Sequence, residues 1–117
     1  MKKAIIIGAT SGIGKGLAKL LPDNNHKIGL TGRRVELLNE LKNENPNFYI
    51  KSFDINDTNV VGQKLDELTT ELGGLDLLII SSGIGEINEN LDFEIEKRTI
   101  DTNVLGFTCV ADWAFNF

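Results

Sequence analysis

The stretch GATSGIGKG, residues 8–16, follows the apolar run AIII at residues 4–7 and leads into a segment with helical periodicity. Glycines at 8, 12 and 14 between a buried strand and an amphipathic helix predict a sharp turn whose bare backbone lies close to a ligand. A phosphate-binding P-loop needs glycine, four residues, then Gly-Lys-Ser/Thr. With Gly14 and Lys15 as the Gly-Lys pair, the first glycine falls on Ala9 and the hydroxyl position on Gly16, so both ends fail. The dinucleotide fingerprint GxGxxG fails as well, because Gly12 and Gly14 call for a glycine where Leu17 stands. What remains is a longer glycine loop that aims the free N–H groups of the next helix at a pyrophosphate. The plain alternative is a flexible connector.

Working outward, Ile13, Leu17, Leu20 and Leu21 recur as one helical stripe that Pro22 and the polar residues after it bring to a stop. His26 to Thr31 reads as a second strand, Val35 to about Lys42 as a helix, and Phe48 to Phe53 as a third strand. Val61, Leu65, Leu68 and Leu72 make a second stripe, closed by Gly73 and Gly74. Leu75 to Ser81 is again wholly apolar. Ile100, Val104, Phe107, Ala111 and Ala114 mark a last helix that begins near Phe93. Strands alternating with helices predict an α/β fold: a doubly wound parallel sheet with helices on both faces. A flavodoxin-like sheet shares this alternation, so periodicity alone leaves the strand order open.

The chain has 117 residues, the size of one domain, with a net charge of −5. That charge argues against a general electrostatic grip on nucleic acid or an anionic membrane surface. Any phosphate binding is therefore local. Cys109 is the single cysteine, which excludes an internal disulfide and the usual cysteine-based metal sites and suits a reducing, cytoplasmic setting. No apolar run approaches the roughly 18 residues that span a bilayer.

GATSGIG resembles the TGxxxGIG cofactor loop of the short-chain dehydrogenase/reductase family, Rossmann-fold oxidoreductases that use a nicotinamide dinucleotide. Ile7 stands where that family usually has threonine. TGRR at 31–34, DI at 54–55, SSGIG at 81–85 in place of the family's NNAG, and DTNVLG at 101–106 agree in the same order. The resemblance implies a strand order 3-2-1-4. It places Gly8, Ser11, Gly12, Ile13 and Gly14 at the cofactor loop, Asp54 and Ile55 at the adenine, and Ser82 and Gly83 near the ribose. The plainer alternative for Asp54 is a turn or helix cap.

In dinucleotide-binding folds an acid about 20 positions after the loop favours NAD, while arginine accommodates the 2′-phosphate of NADP. Thr31, Gly32, Arg33 and Arg34 hold no acid, which predicts NADP(H) over NAD(H), with Arg33 the direct contact and Arg34 either a second contact or a solvated helix-start residue.

The family's catalysis rests on a serine and a Tyr-x-x-x-Lys pair. Tyr49, the only tyrosine, is followed four residues later by Phe53 and reads as a strand aromatic. By resemblance Asn103 is the one member of the family's catalytic set in this sequence, its amide fixing a proton-relay water or else satisfying local backbone. His26 and Cys109 read as surface and packing residues. The expected function is thus the cofactor-binding part, residues 1–117, of an NADP-dependent oxidoreductase of alcohol and carbonyl groups, the remaining chemistry lying in a longer chain or a partner. The alternative is a nucleotide-binding or oligomerisation module without catalysis. The resemblance also implies a homo-oligomer built through the last helix.

Overall fold

The computed structural model describes residues 1–21, 25–84 and 87–117. The elements are β1 (Lys2–Ile7), α1 (Gly12–Leu20), β2 (His26–Gly32), α2 (Val35–Glu44), β3 (Phe48–Ser52), α3 (Thr58–Leu72), β4 (Leu77–Ile80) and α4 (Phe93–Ile100), then a π-helical turn (Asp101–Gly106) and α5 (Phe107–Asn116). The strands form one sheet in the order β3-β2-β1-β4, and every pairing is parallel. This is the doubly wound order.

Because successive strand residues point to opposite faces, β1 feeds two cores. Ile5 and Ile7 join Val61, Leu65, Leu68 and Leu72 of α3 and Val110 of α5 on one face. Ile6 joins Ala18 of α1 and Leu38 and Leu41 of α2 on the other. The AIII run is apolar throughout for that reason: both sides are covered.

The strand boundaries differ slightly from expectation. β4 covers Leu77–Ile80, although Ser81 N still donates to Ile7 O at 2.8 Å and Asp76 N to Lys3 O at 2.7 Å. β3 ends at Ser52, but Phe53 N continues the pairing by donating to Gly32 O at 3.0 Å.

Two expected helix stripes are corrected. In α1 the inward residues are Gly14 and Ala18, with Leu17 and Leu21 half-buried at the side, while Ile13 and Leu20 are 78% and 82% exposed. The cause is close backbone approach. A Cβ on Gly14 would overlap the Gly8 carbonyl oxygen, so only a glycine face can lie against the loop.

The last helix behaves alike. Ile100, Val104 and Phe107 point outward, and Thr102, Gly106 and Val110 are buried. A Cβ on Gly106 would sit 3.0 Å from Ile55 Cγ1 and 3.1 Å from Ile55 O. This tight contact selects the small-residue face, and the π turn, which loosens the helical spacing, interrupts what the periodicity predicted as one continuous helix.

Candidate functional site

A cavity of about 410 Å³ opens at the carboxyl ends of all four strands, the place where open α/β sheets bind ligands. Its floor is the glycine loop. Gly8 (φ +83°) and Gly12 (φ +58°) both take left-handed backbone, which glycine adopts freely. A Cβ on Gly8 would lie 2.9 Å from Ser81 O and Ser82 N, so the loop touches the β4 end backbone to backbone. Gly12 faces open space. Ser11 is the residue before α1; its backbone is extended and its side chain caps nothing, leaving the first N–H groups of the helix available to an anion.

The wall from β2 carries Arg33 and Arg34. Arg34 Nη2 donates to Thr10 Oγ1 at 3.1 Å. Arg33 uses its backbone, its carbonyl accepting from Ser52 Oγ at 3.2 Å. Arg98 of α4 lines the cavity too, so among the described residues the lining holds three arginines and one acid, Asp54. A chain of net charge −5 thus concentrates positive charge at this point, which suits a ligand with several negative charges.

On the β3 side, Asp54 Oδ1 accepts from Asn56 N at 2.9 Å and Asp54 O accepts from Asp57 N at 2.9 Å. Asp54 therefore makes its own turn while lining the cavity, and Ile55 packs beneath it on Gly106.

On the β4 side, Ser82 and Gly83 line the cavity, and Ser82 Oγ is buried without a hydrogen-bond partner among the described residues. A buried hydroxyl lacking a partner is costly and points to a group that arrives with a ligand.

Asn103, in the π turn, pairs with the same loop. Its Oδ1 accepts from Ile84 N at 2.8 Å and its Nδ2 donates to Ile84 O at 2.7 Å. Both amide atoms are thus occupied by the backbone of one residue 19 positions away. Gly12, Ile13, Gly14 and Asn103 stand outside the cavity lining itself. Gly14 supports the loop from below, and Ile13 is exposed on the first turn of α1.

The residues outside the candidate set lie as the sequence suggested. Tyr49 is a half-buried strand aromatic with Lys27 Nζ 5.9 Å above its ring. Burial, followed by the charge of Asp112, raises the Cys109 thiol pKa, so the thiol stays protonated at neutral pH.

The short chain dehydrogenase family model matches residues 2–116. The chain belongs to that family. Among its relatives is an uncharacterized oxidoreductase of Mycobacterium tuberculosis, 33% identical over 113 residues, covering 90% of this chain and 45% of the relative. Another is the NADP-dependent 3-hydroxy acid dehydrogenase YdfG of Escherichia coli (strain CFT073), 32% identical over 106 residues, with 87% and 43% covered. A closed form of serine dehydrogenase complexed with NADP⁺ superposes with a TM-score of 0.85 at 30% identity, over 94% of this chain and 46% of that one. The chain spans less than half the length of these relatives.

In this short-chain dehydrogenase chain the residues fit a nicotinamide dinucleotide: a glycine cradle without side chains, an arginine-rich wall and an orphaned Ser82 hydroxyl. Sequence reading missed Thr10, Asn56, Arg98 and Thr102. Thr10 and Thr102 sit inside the GATSGIG and DTNVLG stretches and Asn56 directly follows DI, but the role of each of the four depends on a partner or wall supplied by a distant element.

Proposed function

We propose that this chain is the NADP(H)-binding part of an oxidoreductase that interconverts alcohol and carbonyl groups. The observation that carries the reading is the end of β2, where Arg33 and Arg34 face the cavity and no acid stands to take a ribose 2′-hydroxyl. The NADP-dependent relative and the NADP⁺-bound structure support it.

The dinucleotide, when bound, supplies the hydride chemistry. Gly8, Ser11, Gly12 and Ile13 present backbone N–H groups to its pyrophosphate, and Gly14 holds that loop against the sheet. Arg33 and Arg34 take the 2′-phosphate through charge-assisted hydrogen bonds. Asp54 and Ile55 border the adenine, and Ser82 and Gly83 the ribose. Asn103 acts at one remove by fixing the Gly83–Ile84 loop. No Tyr-x-x-x-Lys occurs within residues 1–117. The whole enzyme would be cytoplasmic and would associate through the outward apolar face that runs from the end of α4 through the π turn into α5, with Ile100, Val104 and Phe107 at the contact.

Calorimetric titration of the chain with NADPH and with NADH tests the reading. Tighter binding of NADPH by roughly tenfold, lost in Arg33→Ala, is the expected result; that ratio corresponds to about 1.4 kcal/mol. Equal affinities would overturn the preference, and a folded chain that binds neither would overturn the cofactor reading.

A further inference from the structure

The glycine loop and the end of β2 are joined by three contacts. Ala9 N donates to Thr31 O at 2.9 Å, fixing the loop beside the strand. Gly32 has no side chain, and a Cβ there would lie 2.7 Å from Thr10 Cγ2, so Thr10 packs over the strand end only because that position is bare. The third is the Arg34 Nη2 donation to Thr10 Oγ1 at 3.1 Å. Thr10 is 8% exposed, which leaves its hydroxyl little freedom.

We infer that Thr10 is a specificity-determining residue, which holds the Arg34 guanidinium over the cavity so that it meets the 2′-phosphate of the cofactor. The inference rests on the NADP(H) reading above. Arg34 is the cap residue just before α2, on extended backbone (φ −96°, ψ 95°), and is itself exposed. An arginine in that setting samples many rotamers, and ordering it on a ligand costs affinity. The Thr10 hydroxyl removes much of that cost in advance. It occupies one of the five N–H donors and leaves the rest of the fork for a phosphate. Arg33, whose side chain has no partner among the described residues, lacks this preparation.

The geometry separates selectivity from general affinity. The pyrophosphate, adenine and both riboses are common to NADPH and NADH, whereas the 2′-phosphate belongs to NADPH alone. A hydroxyl that acts by aiming Arg34 therefore affects one cofactor, and a hydroxyl that merely stiffens the loop affects both.

Thr10→Val keeps the packing on Gly32 and removes the hydroxyl. Its NADPH Kd should rise about fivefold, the worth of one ordinary hydrogen bond, with NADH binding changed less than about twofold. Thr10→Ser should restore the wild-type ratio. A parallel loss for both cofactors, or an unchanged ratio in Thr10→Val, overturns the inference. A second measurement needs no cofactor: the ¹⁵N heteronuclear NOE of Arg34 Nε in the ligand-free chain should fall in Thr10→Val and hold in Thr10→Ser. An unchanged NOE shows that Thr10 does not order Arg34 and overturns the inference whatever the cofactor. A wild-type chain with no NADPH preference but the expected NOE pattern would refute the cofactor reading, and the specificity role with it, while leaving the Thr10–Arg34 tie intact.

Discussion

Asn56 and Thr102, 46 residues apart, close on each other: Asn56 Nδ2 donates to Thr102 Oγ1 at 3.0 Å, and the same hydroxyl donates to Asn56 Oδ1 at 3.1 Å. The pair joins the turn after β3 to the π-helical turn that bears Asn103, and Asn103 in turn holds Ile84. One side of the cavity is thus tied to the other through side chains rather than through the sheet. Thr102→Val keeps the shape and leaves the Asn56 amide without this partner. A loss of about 1–2 kcal/mol in urea unfolding is expected, with faster hydrogen exchange at the Ile84 amide and partial recovery in Thr102→Ser. An unchanged unfolding midpoint and unchanged exchange would show that the pair carries no weight.

Two glycines in the same helix should respond with opposite signs. Gly14→Ala drives a methyl into the Gly8 carbonyl, and the backbone cannot yield without lifting α1 from the sheet. A loss of more than about 4 kcal/mol, or failure to fold, is expected. Gly16 is exposed in α1 and a Cβ there meets nothing within 4 Å. Gly16→Ala should therefore stabilise the chain by about 0.5–1 kcal/mol through helix propensity and a less free unfolded state. Thermal melts of the two variants decide the point, and a neutral Gly14→Ala would refute the close approach.

Lys51 supplies a pH-dependent test. Its Nζ lies 2.8 Å from Glu71 Oε1 and 3.4 Å from Glu67 Oε2. The hydrogen bond to Glu71 is the main cause that raises its pKa above 10.5, against a smaller opposing effect of burial. A folded pKa above the unfolded one means that the stabilisation is fully present below pH 10.5 and disappears as pH rises through the folded value. The partners are partly exposed, so the contribution is about 0.5 kcal/mol. Wild type should exceed Lys51→Gln by that amount near neutral pH, and the gap should close in alkali. A gap that stays constant with pH would assign the effect to packing of the lysine stem.

The legible part of this chain was the part whose physics is local. Continuous apolar runs mark strands covered on both faces, and glycines at 8, 12 and 14 mark a sharp turn between β1 and α1; both are present, and Gly8 and Gly14 also pass close to other backbone, which the sequence did not predict. Helix faces were not legible in the same way. In α1 the larger apolar residues Ile13 and Leu20 argued for the inward face, yet Gly14 and Ala18 occupy it. Asp54 shows a further limit: cap and ligand contact looked like alternatives, and its turn-forming Oδ1 bond coexists with a place in the cavity lining.

By itself the sequence determined the α/β class, the glycine-loop spacing, the order of segments shared with the short-chain dehydrogenases, and a β2 end bearing two arginines and no acid. Only the tertiary structure decided which face of α1 and α5 turns inward, that Arg34 rests on Thr10, that Asn103 spends its amide on Ile84, and that Arg98 reaches the cavity. Periodicity reports how much apolar area a face offers. How closely two backbones approach depends on residues far apart in the chain, and where the approach is close the small-residue face wins.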